Sequence, residues 1–182
     1  VQHTFRSTNT VNKNPRLPSR TWMRPTTSKT REALTATLRP YIDESSKVLD
    51  LFAGTGSLGL ALLEEGCAEA TFVEGDRRSL KFLYEAVDNK GQIIFGQLPK
   101  ALEKLTGRQF DIIVADPPYN SQDGPQTLAL LDKYTAPGGI VVFEYHHKEN
   151  YPQDFANFKV IKDKRFGETE LTFWQKQEST TP

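Results

Sequence analysis

The chain contains a single cysteine, Cys67, among its 182 residues, so no disulfide bond can form within it. One thiol without a partner is compatible with a reducing compartment. Long hydrophobic runs are also missing: the longest, residues 112–115 and 140–143, have the length of strands and fall far short of the ~20 residues that cross a bilayer. A length of 182 residues is enough for a sizeable core and short for two domains. The composition therefore predicts one soluble domain.

An excess of charge is absent overall, with 23 Lys and Arg against 23 Asp and Glu, but the charges are distributed unevenly. Residues 1–40 contain eight Lys and Arg and a single acid, Glu32, whereas the rest of the chain is acidic. A basic arm on an acidic body predicts contact with the phosphates of a nucleic acid. A solvated tail or the remnant of a targeting peptide are the alternatives. The predicted organisation is a basic arm at residues 1–27, a main domain at 28–176 and a polar tail at 177–182.

Short apolar runs alternate with segments of helical periodicity along the main domain. This alternation predicts an α/β fold with a doubly wound sheet and crossover connections. Ligands of such sheets bind beyond the carboxyl ends of the strands. The predicted helices are residues 28–41 with Ser28 as the cap, a helix from the cap Asp76 to about residue 89, residues 98–105 and residues 125–134, and the later strands are 140–145, 158–162 and 171–175.

The segment Asp116-Pro117-Pro118-Tyr119 follows an apolar run of strand length, residues 110–115. Proline has no N–H to give to a β-ladder, so two consecutive prolines end the strand and stiffen the loop. A carboxylate, fixed carbonyl oxygens and an aromatic ring are thereby presented together. They suit a planar group that bears an NH2, because the oxygens accept its two hydrogens while the ring stacks on its face. The segment predicts a site for a nucleobase with an exocyclic amine, and a strand-end turn with a packing tyrosine is the alternative.

A glycine-rich turn between a strand and a helix forms a second candidate ligand site. Gly54, Gly56 and Gly59 fit the G-x-G-x-x-G pattern, so a nicotinamide-dependent dehydrogenase must be considered. Asp50 argues against it, because its carboxylate comes at the strand end, where a pyrophosphate would have to approach. A carboxylate there suits a ligand with a cationic amino-acid end. Glu74 ends the next strand and suits ribose hydroxyls, which both kinds of cofactor carry.

In this order, the two motifs resemble those of class I S-adenosylmethionine-dependent methyltransferases that act on amino groups. Two further segments resemble the RsmD-type 16S ribosomal RNA guanine-N2 methyltransferases: Arg24-Pro25-Thr26-Thr27 with Arg31-Glu32-Ala33-Leu34, and Lys164-Arg165-Phe166-Gly167 with Thr169, Leu171 and Phe173. The resemblance spans about residues 20–174. It implies a Rossmann-like, mostly parallel seven-stranded sheet. It also implies transfer of a methyl group from S-adenosylmethionine to the N2 amine of a guanine in small-subunit ribosomal RNA.

The resemblance also implies roles for individual residues. The catalytic residues would be Asp116, Pro117, Pro118 and Tyr119. The cofactor S-adenosylmethionine would be bound by Thr26, Asp50, Phe52, Ala53, Gly54, Gly56, Glu74, Gln97, Leu98 and Asp116. RNA would be contacted by Arg16, Arg20, Arg24 and Arg31. The expected partner is ribosomal RNA or the small-subunit ribosomal particle. We expect a monomer without a metal or a membrane contact, in a bacterial cytoplasm or else in an organelle.

The chain departs from the family's pattern in two places. Residues 1–19 match poorly the basic, glycine-containing hairpin with which the family usually begins. Gln97-Leu98 occupy the place, after the third strand, where the family commonly carries an acidic or amide residue near the adenine.

Two other functions remain open on the residues alone. Asp-Pro-Pro-Tyr also serves amino-methyltransferases of adenine or cytosine in DNA, and a non-catalytic RNA-binding assembly factor would have the same scaffold. Methylation of cytosine C5 is disfavoured, because it needs an attacking thiolate and no pattern around Cys67 would activate it. His146-His147 have no third ligand at the spacing of a metal site, so we predict surface or packing roles for them.

Overall fold

Eight strands form one sheet over residues 27–178, which are the residues that the computed structural model describes. The strands are β1 (Lys47–Leu51), β2 (Glu69–Glu74), β3 (Gln92–Phe95), β4 (Phe110–Ala115), β5 (Thr135–His146), β6 (Asp154–Phe155), β7 (Phe158–Phe166) and β8 (Thr169–Lys176). Their order across the sheet is β3-β2-β1-β4-β5-β8-β7-β6. The first five pair in parallel, and β8, β7 and β6 continue the sheet in antiparallel pairs.

The predicted doubly wound, mostly parallel sheet is confirmed, but its strand number is eight rather than seven. The additional strand, β6, consists of two residues that pair with the start of β7. A tight turn at Ala156, whose φ is 44°, brings the two strands together. Two residues are too few to display the alternation that identifies a strand in a sequence.

Helices cover both faces of the sheet, because the central strands are apolar and buried on both sides. One face carries α1 (Ser28–Leu38), α2 (Ser57–Glu64) and α3 (Arg77–Val87). The other carries α4 (Asp123–Leu128) and the 3₁₀ helices Lys100–Leu105 and Leu131–Tyr134. A third 3₁₀ helix, Arg39–Tyr41, follows α1 directly. The longest helices of residues 27–178 have eleven residues, and none could cross a membrane.

The ends of several elements differ from the predicted ones. Thr27 caps α1, since its hydroxyl accepts a hydrogen bond from the backbone N–H of Thr30 at 3.2 Å, whereas Ser28 is already helical. The predicted cap of α3 is confirmed: Asp76 accepts from the N–H of Arg78 at 2.9 Å. The predicted helices at 98–105 and 125–134 are short α-helical or 3₁₀ pieces.

β5 and the last hairpin are longer than the sequence predicts. β5 begins at Thr135 rather than at residue 140 and includes Pro137, Gly138 and Gly139, residues that usually interrupt a strand. Gly138 has a φ of 73°, and the register with β4 shifts between Phe110 and Ile112, so the strand contains an irregularity that accommodates these residues.

The chain changes direction across the sheet between β1 and β4. From β1 it proceeds outward through β2 and β3, then returns to the other side of β1 for β4 and β5. The two neighbouring strand ends are joined where the backbone N–H of Asp116 donates to the carbonyl of Leu51 at 3.4 Å. Such a switch point opens a crevice at the carboxyl edge of the sheet, which is where ligands of this class of fold bind.

Candidate active site

Five loops meet at the carboxyl edge of the parallel strands. The loop after β1 contains Phe52 to Gly56, and the loops after β2 and β3 contain Gly75 and Gln97. The loop after β4, residues 116–122, is called the acceptor loop below, and the loop after β5, residues 146–151, is called the β5 loop. All the predicted site residues within 27–178 except Arg31 lie in these loops or at the strand ends that lead into them.

The glycine loop after β1 has an unusual backbone. Phe52, Gly54 and Gly56 have φ values of 55°, 58° and 74°, a region that costs a residue with a side chain about 1–3 kcal/mol. Phe52 is held there because the N–H of Ala53 donates to the carbonyl of Val73 at 3.0 Å. The backbone of the loop is therefore held against β2, with Phe52 and Gly54 partly exposed and Gly56 buried.

Glu74 holds this loop and the start of α3 at the same time. Its Oε2 accepts from the N–H of Gly54 and its Oε1 from the N–H of Asp76, both at 2.6 Å. The residue is 8% exposed. A carboxylate has about four lone-pair sites, so these two bonds leave acceptor capacity for ligand hydroxyls.

Asp50 is buried near the end of β1 and is bonded to the helix that follows the glycine loop. The residue is 2% exposed, and its Oδ2 accepts from the N–H of Gly59, in the first turn of α2, at 2.8 Å. Burial raises the pKa of Asp50 from 3.8 to about 8; the bond from Gly59 lowers it and the nearby charge of Glu74 raises it. The carboxyl therefore braces the loop and the helix, and its contact with a cationic ligand stays a prediction.

The pKa of Asp50 predicts a pH dependence of stability. The unfolded carboxyl ionises near 3.8, whereas the folded one keeps its proton to about pH 8. Between these values the folded state binds more protons, so the free energy of unfolding falls as pH rises. Below 3.8 and above about 8 this group contributes no slope.

Replacing Asp50 by asparagine should remove this slope while keeping an acceptor for Gly59. We expect the wild type to lose up to about 1.4 kcal/mol per pH unit relative to Asp50→Asn between the two pKa values. Urea unfolding of both proteins at about pH 5, 7 and 8.5 measures the difference. Equal pH profiles for the two proteins would contradict a protonated carboxyl at this position.

The loops after β2 and β3 close one end of the crevice. Gln97 donates from Nε2 to the carbonyl of Gly75 at 2.8 Å, and a Cβ on Gly75 would lie 2.6 Å from Oε1 of Gln97. The amide of Gln97 thus lies directly against the backbone of Gly75, and a side chain at position 75 would displace that amide. Leu98 is 6% exposed and belongs to the core cluster below the loop, so its apolar surface lies next to the polar group of Gln97.

The acceptor loop is rigid and tightly packed. Pro117 is buried and Pro118 exposed, and the carbonyl of Pro118 accepts from the N–H of Ser121 at 3.3 Å. A Cβ on Gly124 would lie 3.0 Å from Cβ and Cγ of Pro117 and would collide with the hydroxyl of Tyr151. Pro117 therefore packs against α4 near Tyr151, whereas Pro118 is exposed and Asp116 is partly exposed.

Tyr119 is half-buried at the tip of this arrangement. Its ring contacts His146 edge to face, with the centroids 5.4 Å apart and an interplanar angle of 81°. A surface or packing role was predicted for His146, and this ring contact is a packing role, although the sequence did not indicate Tyr119 as the partner. Sequence reasoning missed Glu149 and Tyr151, for which the sequence offers no pattern.

The other predicted residues are distributed as follows. Arg31 is half-buried on α1, whereas Thr26, Arg16, Arg20 and Arg24 lie outside the described residues, as does most of the predicted arm. Burial raises the pKa of the Cys67 thiol to about 11, with smaller contributions from Asp111, Asp43 and Glu65, so this thiol stays protonated. Within residues 27–178 no group of three or more His, Cys, Asp or Glu side chains is arranged to hold a metal ion.

Comparison with known proteins gives consistent matches over most of the chain. A family profile described as conserved hypothetical protein 95 matches residues 9–175. The ribosomal RNA small subunit methyltransferase D of Escherichia coli (strain K12) is 28% identical over 167 residues, which cover 88% of this chain and 83% of that protein. The structure of a conserved hypothetical protein from Streptococcus pyogenes matches with a TM-score of 0.73 at 27% identity, covering 84% of this chain and 98% of that chain. A protein described as a methyltransferase and solved in complex with SAH shares the fold alone, with a TM-score of 0.62 at 11% identity over 80% of this chain and 49% of its own.

Proposed function

The chain belongs to the family described as conserved hypothetical protein 95, the RsmD family that its motifs resemble, and from this premise we propose that it transfers a methyl group from S-adenosylmethionine to the N2 amine of a guanine in small-subunit ribosomal RNA. Its sheet is that of a class I methyltransferase. The ribosomal RNA substrate is supported by the relative in Escherichia coli, which is named for that activity.

One observation carries the proposal: the Asp-Pro-Pro-Tyr loop and the glycine loop are brought together at the switch point. Asp116 is bonded through its backbone to the last residue of β1, directly before the loop that Glu74 holds. The glycine loop and the acceptor loop follow neighbouring strands, β1 and β4. A methyl donor bound at the first loop and an amine bound at the second would therefore lie next to each other. A transferase requires this proximity of donor and acceptor.

The glycine loop and the loops beside it form the donor side of the proposed site. Glu74 retains acceptor capacity for the ribose hydroxyls of the cofactor, and the exposed side chain of Gln97 offers a polar group to its adenine, while Leu98 anchors this loop in the core. Gly54, which is partly exposed, has no side chain to keep the rest of the cofactor away from the loop. S-adenosylmethionine would supply an electrophilic methyl group, so the protein mainly has to orient the amine.

The acceptor loop performs that orientation in the proposed mechanism. The guanine amine is a weak nucleophile because its lone pair is delocalised into the ring. Hydrogen bonds from its two N–H groups to the Asp116 carboxylate and the Pro117 carbonyl direct the lone pair toward the methyl group. The nitrogen would take the methyl group from the sulfonium of S-adenosylmethionine, whose sulfur would keep the electron pair of the broken S–C bond, so Asp116 and Pro117 only have to hold the amine in line with that group. Asp116 then accepts the proton that the cationic nitrogen releases.

Methyl transfer to defined nucleic acids tests the proposal. Labelled methyl from S-adenosylmethionine is offered with unmodified small-subunit particles, naked ribosomal RNA and DNA in parallel, and the products are digested to nucleosides. N2-methylguanosine from the particle or the RNA alone supports the reaction and distinguishes the two substrates. Methylated adenine or cytosine in DNA would replace the proposal by the DNA alternative. No label from a protein that binds the cofactor would favour the non-catalytic assembly factor.

Tyr119 should contribute to acceptor binding through its ring rather than its hydroxyl. Stacking of a base on an aromatic side chain is worth about 1–3 kcal/mol, so Tyr119→Ala is expected to raise KM for RNA between about fivefold and a hundredfold. Tyr119→Phe keeps the ring and should remain within about twofold of the wild type. Tyr84→Ala, at an exposed tyrosine on α3, is the control. An equal loss in Tyr119→Phe and Tyr119→Ala would mean that the hydroxyl, not stacking, matters.

Three predictions about the whole protein stay open. They are the contact of the basic arm with RNA phosphates, the monomeric state and the bacterial cytoplasm. Arg31 is the predicted RNA-contacting residue that lies within residues 27–178, so Arg31→Ala tests that part of the predicted RNA surface. The dependence of RNA affinity on salt concentration gives the number of phosphates contacted.

A further inference from the structure

Glu149 connects two loops that the proposed reaction has to hold together. Its Oε1 accepts from the backbone N–H of Asn120, in the acceptor loop, at 3.0 Å. Its Oε2 accepts from the backbone N–H of His146, at the start of the β5 loop, at 2.9 Å. The partly exposed side chain of Glu149 thus bridges two backbone N–H groups, one with each carboxylate oxygen.

Glu149 bonds one residue next to Tyr119 and one residue of the Tyr119–His146 ring pair. Asn120 directly follows Tyr119, and His146 is the residue against which the Tyr119 ring rests. Asn120 has a φ of 56°, so the backbone turns sharply just after the tyrosine. The bond to Glu149 fixes that turn and with it the direction of the Tyr119 ring.

The β5 loop that carries Glu149 is itself closed. The N–H of Glu149 donates to the carbonyl of His146 at 2.8 Å, and the N–H of Lys148 donates to Nδ1 of His146 at 3.1 Å. His146 also stacks on His147 with ring centroids 4.7 Å apart. The imidazole is therefore held from several sides and forms a firm wall for Tyr119.

Two buried tyrosines, Tyr145 and Tyr151, pack beneath the acceptor loop and the β5 loop. Tyr151, two residues after Glu149, packs against Tyr145 with ring centroids 4.3 Å apart and lies under Pro117 and Gly124. Burial raises the pKa of Tyr151, with smaller contributions from the charges of Glu149, Tyr145 and Asp116. The β5 loop and the acceptor loop therefore share a packed interface of which Glu149 is the polar part.

We propose that Glu149 is a positioning residue for the acceptor base: by bridging Asn120 and His146 it fixes the Tyr119 ring against His146 and so defines the slot in which the base stacks. A carboxylate suits this task because it accepts on both oxygens. A glutamine accepts on one oxygen only, so it would turn an NH2 group toward one of the two N–H donors. The proposal rests on the function proposed above and adds a residue that does not itself touch the substrate.

Glu149→Gln tests the bridge in the complete protein. We expect KM for the RNA substrate to rise about tenfold, the factor that corresponds to loss of one hydrogen bond to a charged group. The affinity for S-adenosylmethionine should not change, because the donor side is held by Glu74. Glu85→Gln, at an exposed glutamate on α3, is the matched control and should behave as the wild type.

A double-mutant cycle separates positioning from a merely structural role. If Glu149 acts through Tyr119, then Glu149→Gln should cost little in a Tyr119→Ala background, because the ring that it positions is already absent. Full additivity of the two losses, or an unchanged KM in Glu149→Gln, would overturn the proposal. A loss of cofactor affinity equal to the loss of RNA affinity would overturn it as well.

A spectroscopic measurement tests the bridge independently of methyl transfer. The chain has three histidines, so the imidazole signals of His146 can be assigned by substitution. The ring of Tyr119 shifts these signals in the wild type, and Tyr119→Leu removes that shift. We expect Glu149→Gln to move the His146 signals toward their positions in Tyr119→Leu, and unmoved signals would overturn the proposal. If the wild type methylated no substrate, the proposed function would be wrong. The His146 signals would still show whether Glu149 positions the Tyr119 ring.

Discussion

Replacing Asp116 by asparagine is expected to lower kcat for methyl transfer by about a hundredfold or more, the range typical of loss of a general base. Asparagine has the same shape and keeps one oxygen acceptor for an N–H group. It loses the negative charge that stabilises the developing cation on the nitrogen, and it cannot take the released proton. The backbone of position 116, which bonds to Leu51, is unaffected, so the fold and the crevice should be preserved.

The measurement is single-turnover methyl transfer with the cofactor saturating, together with the dissociation constant of the cofactor. The affinity for S-adenosylmethionine should stay within about threefold, less than 1 kcal/mol, because most of the predicted cofactor contacts lie on the other loops. Asp154→Asn, at an exposed aspartate in β6, is the control for the same chemical change elsewhere. Full turnover by Asp116→Asn with normal cofactor binding would remove the carboxylate from the mechanism.

Replacing Gly59 by valine should produce the largest loss of stability among the changes considered. A Cβ at this position would lie 2.5 Å from Cε1 of Phe72 and 3.0 Å from Oδ2 of Asp50. Both neighbours are buried, at 0% and 2% exposure, so neither can move into solvent. Overpacking of this kind typically costs 1–3 kcal/mol, and the two methyl groups beyond Cβ place valine at the upper end, at about 3 kcal/mol.

Thermal unfolding gives the readout, with an expected fall in Tm of about 6–12 °C for a protein of this size. The neighbouring substitution Leu60→Val, in the same turn of α2, introduces the same β-branched side chain without adding volume and should cost less than about 1.5 kcal/mol. Cofactor affinity should also fall in Gly59→Val, because displacement of α2 breaks the bond from Gly59 to Asp50 that supports the glycine loop. An unchanged Tm would mean that α2 can shift away from β2 without penalty.

The sequence predicted the parts of this protein that depend on local patterns. The alternation of apolar runs and helical segments gave the parallel half of the sheet, and the strand-ending motifs located Glu74, Asp116 and Gln97 at one rim. Asp76 is a cap that could be read from its residue type. These successes share a cause: strand ends and caps are determined by a few residues that are adjacent in the chain.

The parts that were missed depend on residues distant in the chain. Glu149 bonds to Asn120, 29 residues away, and nothing near either residue indicates that contact. The bond from Gly59 to Asp50 was likewise not predicted, because it depends on α2 packing against β1, whereas the contact of Asp50 with a ligand stays a prediction. β5 was predicted too short, because Pro137 and Gly138 normally end regular structure, whereas β5 continues through them from Thr135, which pairs with Phe110, to Ile140, which pairs with Ile112 and Gln175.

The position of β8 has a consequence for the order in which the molecule can be completed during its synthesis. β8 is the last strand along the described chain, yet it lies between β5 and β7 rather than at the edge of the sheet. Until it emerges from the ribosome, β5 has one open edge and the β7 hairpin has no sheet to join. Trp174 and Phe173, both fully buried, pack on opposite faces of the sheet, so the pairing of β8 completes the hydrophobic clusters on both faces together. A nascent chain that ends before Thr169 therefore contains the residues of the donor side of the crevice. It lacks the strand that pairs with β5, and β5 carries the loop that packs against the acceptor loop.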